Sequence, residues 1–580
     1  MTFARAAGNN GPMQRLTTDI LILGAGGAGL LAALHAHEAD PKLKITLAVK
    51  GLLGKCGCTR MVQGGYNVAL APGDSAERHF MDTLAGGKWL NDQDLAWALV
   101  TGAQTCIREL ENKYGCFFDR NPDGTVHQKA FAGQTFDRTV HKGDLTGIEI
   151  VNRLAEQVWA RGLGRLEEHR ALELIPDANG AVAGVLFADM RRGEFVFVAA
   201  KRVLLATGGG PTMYRYHTPS GDKSCDGMAM ALRAGLTLRD MEMVQFHPTG
   251  LLAGPDTRMT GTVLEEGLRG AGGYLLDGEG RRFMAEYDPM AERATRDIVS
   301  RAMFDVIGQG RTTPLGGLYL EMKHLGPENV RRQFKGMVER CADCGFDLAG
   351  GRVEVIPTAH YMMGGVRFAP DCKTAMAGLY AAGEDTGGVH GANRLGGNGV
   401  ANSTVFGSIA GAHLAQGIGR EAFRSPDERV LQAAAVVARA PFARPPGDLE
   451  AIRERLFEAM WRDAGIVRDE TGLKRAEAAL AALERDLDGT GVAGQAEFNL
   501  AWHAWLDLKN LILVSRAIVA SARARADSAG AHYRTDFPAP ADPIRARFTC
   551  AKLNEDRIEV STEPVRFTRL KPGETLLGAK

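Results

Sequence analysis

The stretch TDILILGAGGAGLLAALHAHEADPKLKITLAVK, residues 18–50, decides the fold. A short apolar run (DILIL) leads through a glycine turn into an Ala/Leu helix ending near Ala39, and a second apolar run (KITLAV) follows. That is the order of a parallel βαβ unit. Gly24, Gly26 and Gly29 spell G-x-G-x-x-G between strand and helix, with Gly27 inside the turn. Backbone N–H groups and the helix dipole can meet a pyrophosphate there without interference from a Cβ. The acidic residue that would hold the ribose of NAD at the end of the second strand is absent, because the chain reads Val49-Lys50. Two further glycine clusters, Thr207-Gly208-Gly209-Gly210 after Ala206 and Ala382-Gly383-Glu384, each follow an apolar strand. An extended dinucleotide needs several such backbone approaches, so the pattern favours FAD over NAD. The plainer alternative is a tight turn without a ligand.

Working outward, 580 residues imply two to four domains at about 150 residues each. Gly accounts for 72 of them, well above the ordinary share of about 7 %. Lys plus Arg (69) balances Asp plus Glu (69), so no excess positive charge exists to follow a nucleic acid or an anionic membrane surface. Nine Cys, sparse and odd in number, fit free thiols in a reducing compartment. The first fifteen residues have no apolar signal core, which predicts a cytoplasmic protein. Ile20 to Leu34 is too short for a bilayer span of about 20 residues, and Leu395 to Gly419 carries too many polar groups. Neither is expected to enter a membrane.

The segmentation expected is a flexible tail at 1–17, a discontinuous dinucleotide-binding domain at 18–246 plus 361–430, and an inserted α+β capping domain at 247–360. A helical domain at 445–540 and a C-terminal segment at 541–580 complete it. Strands are expected at 180–188, 194–200 and 202–207, and a capping-domain helix at 294–307. Leu473, Ala476, Leu480, Leu483 and Leu487 repeat at helical spacing. Helices are predicted near 448–465, 470–486 and 495–526, after the linker ARPPGD (443–448). The period-2 segment RIEVSTEPVRFTRL predicts a small terminal sheet. The fold class is thus α/β, Rossmann-like, with an inserted cap and a helical C-terminal domain.

Four motifs occur in order: MEMVQFHPTG (241–250), EEGLRGAGGYLLDGEGRRF (265–283) with ATRDIVSRA (294–302), PTAHYMMGG (357–365) and GEDTGGVHGANRLGGNG (383–399). With GAHYRTDFP (530–538), the chain resembles the flavoprotein subunits of succinate dehydrogenase and fumarate reductase, and their relative L-aspartate oxidase. The resemblance implies FAD and a dicarboxylate held between the flavin and the cap. It places His247, His360 and Arg394 on the substrate carboxylates and makes Arg296 the proton shuttle, fed by Glu266 and Arg269. An Arg with a pKa above about 12 is a poor base alone. The resemblance also puts Glu384 at the flavin side chain, Asp226 in the ribose-side loop, and Cys58, Thr59, Gln63, Gly64, Gly65 and Asn398 around the cofactor.

The chain departs from the family at instructive places. Cys58 stands where membrane-bound members carry the His that bonds covalently to FAD, so a non-covalent FAD is implied. Glu265 replaces a Thr at the substrate end. Phe131 occupies the place where aspartate oxidases carry a Glu for the substrate amine, which weakens the amino-acid reading, although Glu265 could hold an ammonium group. The resemblance implies interconversion of a succinate-like dicarboxylate and its trans-alkene. Rival readings are an L-aspartate oxidase and a subunit whose flavin only relays electrons within a larger complex. No ferredoxin-type Cys run is present, so an iron–sulfur or other electron-transfer protein is the partner expected, through which the chain could lie peripherally on a membrane. No metal site is expected. Cys341 and Cys344 lack a second ligand pair. Trp502 and Trp505 read as helical core, and Arg281, Arg282 and Arg293 as a solvated basic face.

Overall fold

The computed structural model describes residues 13–578. Strand β1 (Gln14–Leu23), helix α1 (Gly27–Ala39) and strand β2 (Ile45–Ala48) form the expected unit, with Ile20 paired in parallel to Ile45 and Leu23 to Ala48. β3 (Gly164–Leu166), β4 (His169–Pro176), β5 (Val182–Asp189) and β6 (Phe195–Leu205) extend the sheet in the order β3-β2-β1-β6-β5-β4.

Two sequence expectations need correction here. Of the expected tail, residues 1–12 lie outside the described residues, but Gln14 to Thr17 belong to β1 and pair with Val196 to Ala199 of β6. Main-chain bonds hold this polar extension, so side-chain pattern does not reveal it. The two strands expected at 194–200 and 202–207 are one strand, β6. Lys201-Arg202 looks like a break, yet the Arg202 guanidinium donates to Glu421 and to the carbonyls of His413 and Leu414.

The inserted segment builds a separate antiparallel sheet from β7 (Val244–Leu251), β8 (Tyr274–Leu276), β9 (Leu318–Glu321) and β10 (Arg352–Met362), in the order β7-β10-β9-β8. Helix α2 (Arg296–Gly308) packs on it over a core of its own that includes Leu264, Val299 and Val353. The chain then rejoins the first sheet through β11 (Leu379–Ala381), parallel to β6, and enters α3 (Asn398–Ala415). α3 lies against α1 closely enough that a Cβ at Gly407 would sit 2.5 Å from the Ala28 carbonyl oxygen. Glycine at 407 is what permits that approach.

A helix absent from the sequence reading, α4 (Glu428–Arg439), precedes the three predicted ones, α5 (Leu449–Asp463), α6 (Glu470–Gly489) and α7 (Leu500–Ala524). Trp502 and Trp505 are buried in α7 and donate to the carbonyls of Ala438 and Leu487. Leu480 and Trp505 share one continuous core with Leu21 and Val203 of the first sheet. The terminal hairpin, β12 (Arg547–Asn554) with β13 (Arg557–Pro564), is not self-standing. It completes a four-stranded sheet with Leu238–Arg239 and Gly365–Val366.

Candidate active site

A cleft of about 230 Å³ runs from the head of α1 to the turn before α3. At its first end Gly24 has φ +106°, a region costly for any residue with a Cβ, and a Cβ there would lie 2.1 Å from the Ala206 carbonyl oxygen. The Gly27 N–H donates to Thr59 Oγ1 at 3.1 Å, tying the dinucleotide turn to the Cys58 segment. Asp385 accepts from the N–H groups of Thr207 (2.5 Å) and Gly208 (3.2 Å), and so shapes the second glycine approach. A Cβ at Gly208 would meet nothing within 4 Å.

At the far end of the cofactor groove, Lys50 Nζ donates to Asp226 (2.8 Å), Ser224 (3.1 Å) and Asp507 (3.2 Å). Arg170 bonds the same two carboxylates at 2.9 and 2.7 Å. Burial works to raise the Asp226 carboxyl, but Lys50 and Arg170 outweigh it and hold it well below the usual carboxylate range. The basic residue at the end of β2 thus carries its acidic partners with it from α7 and from the helix that Asp226 begins.

Near the middle, Glu384 accepts from the Met362 N–H at 3.0 Å, and burial pushes its carboxyl up to about 7. Burial likewise pushes the Cys58 thiol up to about 12, aided by the nearby Glu384. Gln63 Oε1 and Arg394 Nε are buried beside the cleft without a protein partner. Unsatisfied buried groups of this kind call for a ligand, and an extended dinucleotide with a flavin fits the glycine-lined groove and its donors.

The substrate end is built from the cap and from the turn before α3. The rings of His247 and His360 lie 5.3 Å apart, and burial drives both well below the ordinary histidine value, with Arg296 adding to it. Both are neutral at pH 7. His247 Nδ1 accepts from the Thr249 N–H at 3.3 Å, which assigns the ring proton to Nε2. His360 Nδ1 lies 2.8 Å from Thr218 Oγ1.

Arg296 opens α2 and is buried. Its Nε and Nη2 donate to Glu266 Oε2 at 2.8 and 2.5 Å, and its Nη1 donates to Gln245 Oε1 at 3.0 Å. Behind it, Arg269 approaches Glu266 Oε1 at 3.6 Å and donates to the Glu292 carbonyl at 2.6 Å. Burial opposes ionisation of Glu266, but Arg296 and Arg269 prevail and lower its pKa. Arg394 stacks 4.3 Å from the Tyr361 ring, and burial pushes its pKa down to about 10.

Of the residues singled out from sequence, Gly24, Gly26, Gly27, Lys50, Cys58, Thr59, Gln63, Gly64 and Gly65 line the cleft, as do Ala206, Thr207, Gly208, Asp226 and Glu384. Phe131, His247, Glu265, Glu266, Arg296, His360 and Arg394 line its substrate end. Three do not line it. Gly29 serves packing, since a Cβ there would lie 2.0 Å from the Gly24 carbonyl oxygen. Asn398 is turned inward, accepting from Asn67 at 2.9 Å beneath the Gly396–Gly397 turn. Arg269 stands behind Glu266 and borders a second, small cavity with Glu292 and Arg293.

Sequence reasoning missed Gln245, Thr218, Asp385, Asp507 and Lys129, whose Nζ donates to Glu265 Oε2 at 3.0 Å. Gln245 lay inside a quoted motif, beside the histidine that drew attention. Asp507 gave no signal, 457 residues from Lys50. Cys341 and Cys344 are free, and no cluster of metal-ligating side chains occurs among the described residues. No described helix is long and apolar enough to cross a membrane.

The chain matches the FAD binding domain family over residues 19–400 and the fumarate reductase flavoprotein C-terminal family over 453–576. It is 41 % identical over 526 residues to one subunit of the CoM/CoB fumarate reductase of Methanothermobacter marburgensis, covering 90 % of this chain and 94 % of that protein. Identity with the fumarate reductase flavoprotein subunit of Escherichia coli is 34 % over 595 residues, covering 98 % and 97 %. A solved variant of E. coli quinol fumarate reductase FrdA superposes with a TM-score of 0.91 at 32 % identity, covering 98 % of this chain and all of that one. The chain therefore belongs to the succinate dehydrogenase and fumarate reductase flavoprotein family, and it is an FAD-dependent oxidoreductase of that type.

Proposed function

We propose that the protein interconverts a succinate-like dicarboxylate and its trans-alkene, with electrons exchanged through a separate electron-transfer protein. The observation that carries this reading is the charge left over at the substrate end. Three guanidinium groups, Arg269, Arg296 and Arg394, face one carboxylate, Glu266, while His247 and His360 are neutral and Glu265 is matched by Lys129. Even with Glu384 near Arg394 and Glu292 near Arg269, positive charge is in excess, which suits a dianion. Arg394 offers a guanidinium fork to one carboxylate, and the two imidazoles supply neutral donors and acceptors around it.

FAD would be held by the residues lining the groove, Gly24 through Gly399, and would supply hydride chemistry at its N5 position. In this reading Arg296 hands a proton to the neighbouring carbon of the alkene. Glu266 fixes its guanidinium through two hydrogen bonds, and Arg269 lies behind Glu266 on the side of the small second cavity, so the lost proton can be replaced from that direction. Electron supply from outside is supported by the relatives, which are named as subunits, and by the lack of a ferredoxin-type Cys run. The test uses the holoenzyme with its flavin reduced by dithionite. Fumarate should reoxidise it and succinate should bleach the oxidised form; a flavin spectrum unmoved by both would refute the reading.

A further inference from the structure

Glu265 is only 4 % exposed, lines the substrate end of the cleft, and uses one oxygen, Oε2, to accept from Lys129 Nζ at 3.0 Å. Among the described residues Oε1 has no protein donor. A carboxylate oxygen with no protein donor, on a residue that lines a site for a dianion, repels a plain carboxylate and favours a ligand that brings a hydrogen-bond donor. Lys129 neutralises the charge of Glu265 without filling that acceptor position, which lets a dianion enter at all. Lys129 and Arg340 act on Glu265, against Asp144 as an acidic neighbour, and Arg296 and Arg394 line the same end of the cleft. An ammonium group would therefore be opposed, and a neutral hydroxyl would not.

We infer that Glu265 is a specificity-determining residue, and that the site prefers a four-carbon dicarboxylate bearing a hydroxyl beside one carboxylate over the unsubstituted acid. This rests on the dicarboxylate reading above and narrows its substrate class. The hydroxyl donates to Glu265 Oε1 while Lys129 holds Oε2, so the pair reads a donor that fumarate and succinate lack. Discrimination by a charged hydrogen bond supports a difference of about tenfold or more.

The experiment titrates anaerobic holoenzyme whose flavin is already reduced, so that none of these saturated acids can react with it, with succinate, L-malate, D-malate and L-aspartate, and reads dissociation constants by calorimetry. One malate enantiomer should bind at least about tenfold tighter than succinate, with aspartate the weakest. Glu265→Thr should erase that preference, and so should the apolar pair Lys129→Met with Glu265→Met, which guards against a fold defect in the single variant. The inference is overturned if aspartate binds best, or if the malate-to-succinate ratio changes less than about twofold in both variants that retain FAD. Fumarate-driven reoxidation is measured alongside. Its absence with the binding ratios as expected would sink the proposed reaction and leave the role of Glu265 standing.

Discussion

Replacing Arg296 by Gln removes the group on which the proposed chemistry depends most directly. In the wild type its guanidinium makes two hydrogen bonds to Glu266 and one to Gln245. Gln is too short to keep all three and carries no proton to give. The positive excess at the substrate end falls by one, and of the two ion pairs of Glu266 only the one with Arg269, at 3.6 Å, remains. Loss of one preorganised transition-state group costs about 3 kcal/mol, or at least about 10² in kcat. The missing charge should also raise KM, roughly tenfold if it is worth about 1.4 kcal/mol across a partly screened site. Every cradle residue from Gly24 to Asp226 is untouched, so FAD content should match the wild type. The assay is stopped-flow reoxidation of the reduced flavin by fumarate, at saturation and as a function of concentration. Retention of more than half the wild-type rate at saturation, with FAD bound, would refute the assignment of Arg296.

Arg394→Lys should raise KM by an order of magnitude or more while leaving FAD in place, because an ammonium cannot copy the fork; an unchanged KM contradicts the clamp. FAD should be released by acid precipitation into a yellow supernatant, since the Cys58 thiol, pushed up to about 12 by burial, is protonated and a poor nucleophile at neutral pH. A fluorescent protein band that Cys58→Ser abolishes would overturn this. Burial pushes the Asp385 carboxyl up from 3.8 to about 7. Its stabilising contribution is therefore complete below the unfolded value near 4 and is lost as pH rises through about 7, by about 4 kcal/mol at most. The unfolding midpoint of the holoenzyme should fall between pH 5 and pH 8 by more in the wild type than in Asp385→Asn, and equal slopes would remove Asp385 as the cause.

What the sequence made legible was whatever repeats a local rule. The βαβ unit shows in apolar runs around a glycine turn, and α6 in its leucine spacing. The substrate residues show as short motifs whose chemistry is visible in the residue types. What stayed hidden depends on contacts between distant segments. The start of β1 at Gln14 rests on main-chain pairing with β6, which side chains do not announce. The unity of β6 was obscured by Lys201-Arg202, whose charge is met 219 residues away by Glu421. α4 hides because only Leu431, Ala435 and Ala438 of its residues are buried, too few to mark a stripe. Lys129 carries no signal in the sequence until Glu265 folds against it. The departure at Glu265 could be seen, but its partner could not.

The anchoring of Lys50 by Asp507 has a bearing on the order of events during synthesis. The glycine turn, β2 and Lys50 emerge first from the ribosome, while Asp507 lies on α7, near the other end of the chain. Until that helix is made and docked, Lys50 and Arg170 have Asp226 as their one carboxylate, with Ser224 beside it, and the cluster at that end of the groove lacks its second acidic partner. The core shared by α7 and the first sheet delays closure in the same way. A nascent chain stopped at the linker near residue 445 is therefore a receptor with its latch missing. Tight retention of the dinucleotide becomes an event of the finished polypeptide, and truncation from the C-terminus should empty the flavin site before it touches a single residue of the glycine turn.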